Sequence, residues 1–249
     1  MSGWVLKAKN NIKYFQLDTQ DFDPAIIGLF SVKNRNVDNN KVPYFLPTIS
    51  GFPIYHLHQI HSNIVYYVDK NFTNSQLASG DGLYTREKNI FLAVRVADCL
   101  PIYFWVRKRP IVGIVHAGWR GTLKLVAFQL ANQLMKSFQL SPQEIYYAFG
   151  PAIGACCYEV KSDVASQYEQ LLKQYAITEG IIDKTDKLFL NLKVINDAIL
   201  NKVGCIKYAD LNLCTSCEKE LFYSYRRGDR NQYNWGFIGY INSNFNKFS

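Results

Sequence analysis

Cys99 lies in Val94-Arg95-Val96-Ala97-Asp98-Cys99-Leu100-Pro101, and His116 opens His116-Ala117-Gly118-Trp119-Arg120-Gly121. Each falls at or near the end of an expected strand, so a thiol and an imidazole finish neighbouring strands. His61, from His58-Gln59-Ile60-His61, supplies a third donor. The chain has only four histidines, and three of them lie between His56 and His61, so the pattern does not follow from abundance. One thiolate and two imidazoles suit zinc, and three protein ligands with an open fourth position define the catalytic form of such a site. A water at that position is acidified toward neutral pH. Asp98, beside Cys99, is the carboxylate expected to orient a ligand imidazole.

Spacing alone leaves a plainer reading open. A cysteine near a strand end is commonly a small buried hydrophobe, and His56 and His58, which share one strand face, compete with His61 as ligands. Cys99 with a histidine base would also serve as a nucleophile. Cys214-Thr215-Ser216-Cys217 has redox or zinc spacing, but with no second pair nearby and no thioredoxin-like context it reads as structural, and Cys156-Cys157 read as packed thiols. Arg226-Arg227 are suited to clamping a phosphate, or to forming a surface ion pair.

The elements that must position these groups follow from composition and pattern. At 249 residues and 48% hydrophobic content, the chain is long enough for a sizeable core. No run reaches the roughly 20 apolar residues of a spanning helix, and no secretory leader is visible. With cysteines unlike a secreted framework, these features point to a cytoplasmic protein with reduced thiols. The net charge of +8 comes from dispersed residues rather than a nucleic-acid motif. Neither nucleic acid nor membrane is the expected partner.

Short apolar runs at Ile90–Val96, Ile102–Val106 and Ile111–Val115 predict strands buried on both faces. Further strands are expected at Ile64–Val68, Ile145–Phe149, Ile206–Leu213, Leu221–Tyr225 and Gly236–Ile241, with Gly80-Asp81-Gly82 a turn and Lys33–Lys41 a loop. Helical spacing predicts helices over Leu123–Phe138, capped by Thr122, over Lys161–Ala176 and over Leu192–Val203. No linker or repeat divides residues 1–249, and no dinucleotide fingerprint follows a strand. The expectation is α/β (α+β mixed): a single domain of packed mixed β-sheets flanked by helices.

Read together, Gln59-Ile60-His61, Ala97-Asp98-Cys99-Leu100-Pro101, His116-Ala117-Gly118-Trp119-Arg120-Gly121, Gly150-Pro151-Ala152-Ile153, Cys157-Tyr158-Glu159-Val160 and Ser224-Tyr225-Arg226-Arg227 resemble the laccase-domain family. That family is also labelled multicopper polyphenol oxidase and, more recently, purine nucleoside phosphorylase. The resemblance implies that His61, Cys99 and His116 are the metal-binding catalytic residues. It implies phosphorolysis of adenosine, inosine and methylthioadenosine, adenosine deamination, and in bacterial members a role in keeping peptidoglycan precursors correct. Arg120, Arg226 and Arg227 are the candidates for substrate or phosphate binding.

Two departures stand out. The family's F-S-T-R-x-G-G-x-S stretch is replaced by Phe30-Ser31-Val32-Lys33-Asn34-Arg35, leaving Lys33 or Arg35 to supply the positive charge. After Arg227 the usual Gly-Arg gives way to Asn231-Gln232-Tyr233-Asn234-Trp235.

The leading expectation is therefore a zinc-dependent purine nucleoside enzyme. A copper oxidase of phenols is the alternative, since a His2Cys set suits copper. A multicopper centre needs on the order of eight further histidines, whereas only His56 and His58 remain, and the methionines are Met1 and Met135 alone. A third reading is a catalytically reduced member that binds nucleosides as a scaffold. For the leaving purine, Glu159 and Asp98 are the candidate acids.

Overall fold

Strands β1 (Trp4–Lys9), β2 (Ile12–Leu17), β3 (Ile26–Ser31), β4 (Ile54–Tyr55), β5 (Val65–Tyr67), β6 (Gly82–Thr85), β7 (Phe91–Val96), β8 (Leu100–Val106) and β9 (Val112–Ala117) come first in the computed structural model. Helices α1 (Trp119–Leu123) and α2 (Val126–Phe138) follow, then β10 (Ile145–Phe149), β11 (Glu159–Val160) and α3 (Ser162–Tyr175). β12 (Ile181–Lys184), β13 (Lys187–Leu190), α4 (Leu192–Val203), β14 (Ile206–Asp210) and β15 (Asn234–Tyr240) complete the order. The structure describes residues 3–33, 49–72 and 78–242, so most of the expected Lys33–Lys41 loop, Arg35 included, lies outside the described residues.

The strands form two six-stranded mixed sheets, ordered β1-β2-β3-β15-β7-β4 and β14-β10-β8-β9-β6-β5, and a small sheet β11-β13-β12. Alternation along β8 explains the layering. Leu100, Ile102 and Phe104 pack with Val126, Leu130 and Leu134 of α2 and Ile195 and Ile199 of α4. Tyr103 and Trp105, pointing the other way, pack with Phe30, Val94 and Ile238 of the first sheet. Every residue of β8 and β9 is buried, as near-continuous apolar runs require of a sheet covered on both faces. Each large apolar side chain so buried contributes about 2 kcal/mol relative to exposure. The result is the expected mixed α/β architecture of stacked sheets with flanking helices. No helix among the described residues is long and apolar enough to cross a membrane.

Several local expectations need correction. Leu221–Tyr225 is not a strand. Its backbone is held by side chains instead: Asn234 accepts from the Tyr223 amide and donates to the Tyr223 carbonyl, and Asp229 accepts from the Ser224 amide. Thr122 does not cap a helix. It lies inside α1, buried, and its Oγ1 accepts from Asn196 Nδ2 at 2.9 Å, while left-handed Leu125 (φ 63°) separates α1 from α2. The α4 range matches expectation, with Asn191 Oδ1 accepting from the Val194 amide as a cap. The β1–β2 hairpin was not expected. Its signal was Asn10-Asn11, both at positive φ, a turn chemistry that joins antiparallel strands.

Candidate metal centre

Strand register brings the three expected donors together. β8 and β9 are antiparallel with Leu100 opposite Ala117 and Pro101 opposite His116, so Cys99, one residue before β8, emerges beside the end of β9. β6 pairs with the other edge of β9, Gly82 opposite Val115, which sets Asp81 against His116. The His116 amide donates to the Asp81 carbonyl at 2.8 Å.

The His58–His61 loop is fixed from both sides. Gln59 donates to the Arg95 carbonyl and accepts from the Arg95 amide, tying the loop to β7. The buried Asp81 carboxylate accepts from the amides of Ile60, His61 and Ser62 and from Ser62 Oγ. Under that constraint His61 adopts a left-handed conformation (φ 57°), which costs a non-glycine residue on the order of 1–3 kcal/mol and persists only where surroundings impose it.

His61, Cys99 and His116 each present one donor atom, and the three atoms lie within 4.8 Å of one another. His61 Nε2 is 3.9 Å from Cys99 Sγ. A tetrahedral zinc with bonds of about 2.0–2.3 Å requires donor separations only slightly shorter than this. His116 Nδ1 donates to Asp81 Oδ1 at 2.9 Å, which leaves Nε2 as the free donor and sets the ring's orientation. Gly118 closes the floor: a Cβ there would lie 2.7 Å from Cys99 Sγ and 3.1 Å from His61 Cδ2. Donor chemistry, tautomer control and close approach all fit a metal ion, and His61, Cys99 and His116 are the residues that would hold it.

Electrostatics agree with the geometry. Burial would raise the Asp81 carboxyl, yet hydrogen bonds from His116 and Ser62 outweigh it and hold it at about 2. Burial also opposes charge on Cys99 and on His116. Their mutual attraction and hydrogen bonding overcome it, lowering Cys99 to about 6 and, with help from Asp81, raising His116 to about 9. At neutral pH the metal-free pair is thus a thiolate beside an imidazolium, and a metal bound at His116 Nε2 would take the place of its proton.

His56 and His58 do not join the cluster. His56 packs edge-on against Trp235 with ring centroids 5.6 Å apart, and exposed His58 pairs through its backbone with Ser79. The carboxylate that orients a ligand is Asp81, not Asp98. Asp98, at φ 92°, accepts from Thr215 Oγ1 and the Arg226 amide, both at 2.7 Å, and its carbonyl accepts from Ile153. Asp98 therefore ties the loop after β14 to the Cys99 strand end. Asp81 escaped sequence reading because Gly80-Asp81-Gly82 carries the signature of a turn, and only strand pairing shows what the aspartate faces.

The arginines divide. Arg120 is exposed and stacks over Trp119 at 4.1 Å. Arg226, also exposed, donates to the carbonyls of Cys157 (3.2 Å) and Glu159 (2.8 Å). The charges of Cys99, Arg226, Asp98 and Arg120 all act on the half-buried Tyr158 phenol, so these groups share one neighbourhood, while burial dominates and keeps the phenol neutral. Arg227 is spent on structure: its terminal nitrogens donate to the carbonyls of Thr215, Ser216 and Phe222 and pair with Asp229. Lys33 also goes to this loop, donating to the Lys219 carbonyl at 2.9 Å. Neither candidate acid is unengaged, since Glu159 pairs with Lys187 at 3.0 Å and Asp98 is held as above.

Among the described residues, the stacked mixed sheets bring Cys99 and His116, at neighbouring strand ends, to His61 on the loop between β4 and β5, a candidate metal site within a mixed α/β fold. The chain belongs to the family described as multi-copper polyphenol oxidoreductase laccase, which matches residues 35–240. A protein of Bacillus subtilis (strain 168) named purine nucleoside phosphorylase YlmD is 35% identical over 156 residues, 62% of this chain and 56% of that protein. The match thus spans little more than half of that relative's length. A purine nucleoside phosphorylase of Clostridium acetobutylicum is 32% identical over 86% of this chain and 91% of its own. The crystal structure of YlmD from Geobacillus stearothermophilus has a TM-score of 0.83 at 27% identity, covering 96% of this chain and 100% of that one.

Proposed function

We propose that this chain is a zinc-dependent purine nucleoside phosphorylase that converts adenosine, inosine or methylthioadenosine and phosphate into the free base and ribose 1-phosphate (5-methylthioribose 1-phosphate from methylthioadenosine), with adenosine deamination as a second activity. The observation that carries this reading is the convergence of His61, Cys99 and His116, with Asp98 beside Cys99 holding the Arg226 amide, taken with the relatives' names.

In phosphorolysis a phosphate oxygen forms a bond to the anomeric carbon, the glycosidic C–N bond breaks, and its electron pair leaves with the purine, which takes up a proton. A bound zinc ion would supply Lewis-acid stabilisation of developing negative charge and acidify bound water. Asp81 holds His116 in the tautomer that presents Nε2. Arg120 and Arg226 offer guanidinium donors for the phosphate dianion, with the stacked Trp119 and the Cys157 and Glu159 carbonyls fixing their directions. Arg227 positions Arg226 by bracing the loop that precedes it. The neutral Tyr158 phenol is a further donor in this neighbourhood, placed to hydrogen-bond the leaving base.

The test is product analysis by chromatography after incubating zinc-loaded protein with adenosine, inosine and methylthioadenosine, each with and without phosphate. Phosphate-dependent release of adenine or hypoxanthine is expected, and phosphate-independent conversion of adenosine to inosine reports the deaminase. Zinc-loaded protein that leaves every nucleoside unchanged overturns the assignment.

A further inference from the structure

A second cluster lies outside the centre described above. The donor sulfurs of Cys156, Cys157, Cys214 and Cys217 all lie within 4.8 Å of one another. Two tight turns deliver them. In the first, the amides of Cys157 and Tyr158 donate back to the Gly154 carbonyl, and in the second the Glu218 amide donates to the Cys214 carbonyl. The turns are joined by a parallel bridge between Ala152 and Cys214, with the Thr215 amide donating to the Ala152 carbonyl. Gly154 permits the approach, since a Cβ there would lie 3.2 Å from Cys156 Sγ and 3.5 Å from Cys214 Cβ.

We propose that Cys156, Cys157, Cys214 and Cys217 form a structural tetrathiolate zinc site, separate from the His61, Cys99 and His116 centre. A tetrahedral Zn–S4 unit with bonds of about 2.3 Å places its sulfurs a little under 4 Å apart. Cys217 Sγ is 3.6 Å from Cys156 Sγ and 3.4 Å from Cys157 Sγ. A disulfide would select one of these partners, at about 2.05 Å, whereas Cys217 is shared almost equally between them. The Gly154 amide donates to Cys214 Sγ at 3.2 Å, a bond that favours a thiolate. Ionisation is resisted elsewhere in the cluster: burial and neighbouring thiols raise Cys156 to about 11, and adjacent thiols push Cys217 higher still. A divalent cation removes that penalty by neutralising the sulfurs it binds. The anionic unit meets positive charge, because Arg226 donates to the Cys157 carbonyl and Arg227 to those of Thr215 and Ser216.

The consequence is mechanical. The two turns hold Arg226 and, through Thr215 on Asp98, the strand end that carries Cys99. A metal joining them staples the loop that faces the catalytic centre, and structural zinc contributes folding free energy directly.

The experiment is metal analysis of protein purified with zinc under reducing conditions, comparing wild type, the H61A/H116A double variant and the C214S/C217S double variant. Two zinc ions per chain are expected for wild type and one for H61A/H116A, whose zinc X-ray absorption shows sulfur ligands only, at about 2.3 Å. C214S/C217S should lose one equivalent, and chelation of H61A/H116A should lower its melting temperature, a readout that holds even if the cysteine variant fails to fold. The proposal is overturned if H61A/H116A carries no zinc, or if peptide mapping of freshly purified protein finds Cys217 disulfide-bonded to Cys156 or Cys157. None of these readouts depends on nucleoside turnover.

Discussion

Asp81 meets His116 twice: its carbonyl receives the His116 amide at 2.8 Å and its carboxylate receives the His116 Nδ1 proton at 2.9 Å. One aspartate therefore sets both the register of β9 and the face that a ligand imidazole offers. The same carboxylate gathers the Ile60, His61 and Ser62 amides, so two of the three candidate ligands are oriented from one buried charge.

Asp81→Asn leaves the size of the side chain unchanged but removes the charge that fixes the tautomer. Zinc affinity at the His61, Cys99 and His116 cluster should fall about 10–100-fold, measured by competition with a chromophoric chelator. An affinity unchanged from wild type would show that Asp81 does not tune the ligand.

The acid limb of stability should also change. Because the folded Asp81 carboxyl sits at about 2, below its ordinary value of 3.8, its contribution is complete above the ordinary value and is lost as pH falls through about 2. That contribution is about 2 kcal/mol. Urea unfolding of metal-free protein between pH 2 and pH 5 should show a steeper decline toward acid in wild type than in Asp81→Asn.

Cys99 gives a separate pH signature. In metal-free protein its alkylation by iodoacetamide should rise as pH increases through about 6, well below the range of ordinary thiols. Zinc should suppress this labelling, read by peptide mass spectrometry. Rapid alkylation of Cys99 in zinc-replete protein would favour a free nucleophile instead.

Gly118→Ala introduces a methyl 2.7 Å from Cys99 Sγ without backbone strain, since Gly118 has φ −76°. The fold should survive while the ligands are displaced. kcat/KM should drop on the order of 10²-fold, the scale expected for a misplaced reacting group. Circular dichroism alongside kinetics separates this from unfolding.

Arg226→Ala and Arg227→Ala should fail differently. Loss of exposed Arg226 is expected to raise KM for phosphate about tenfold at little cost in melting temperature. Loss of Arg227 strands the Thr215, Ser216 and Phe222 carbonyls and should cost about 2 kcal/mol of stability, with lysine unable to restore the fork. Equal effects on KM and stability in both variants would contradict the division of roles.

The donors themselves were legible as residues: Cys99, His116 and His61 stand out because histidine is scarce and because apolar runs end at Cys99 and His116. The buried strands were legible for the same local reason, and α4 was bounded by its own periodicity and its Asn191 cap. Leu221–Tyr225 misled because its β-rich composition is overridden by side chains of Asn234 and Asp229 that satisfy its backbone. Ligand choice among His56, His58 and His61, the role of Asp81, the structural use of Arg227, and the meeting of Cys156 and Cys157 with Cys214 and Cys217 depend on strand pairing and on bridges such as Ala152 to Cys214. Residue types and short-range periodicity specify elements and chemical capacity. Only long-range register, decided when the sheets pack, determines which of those capacities face one another.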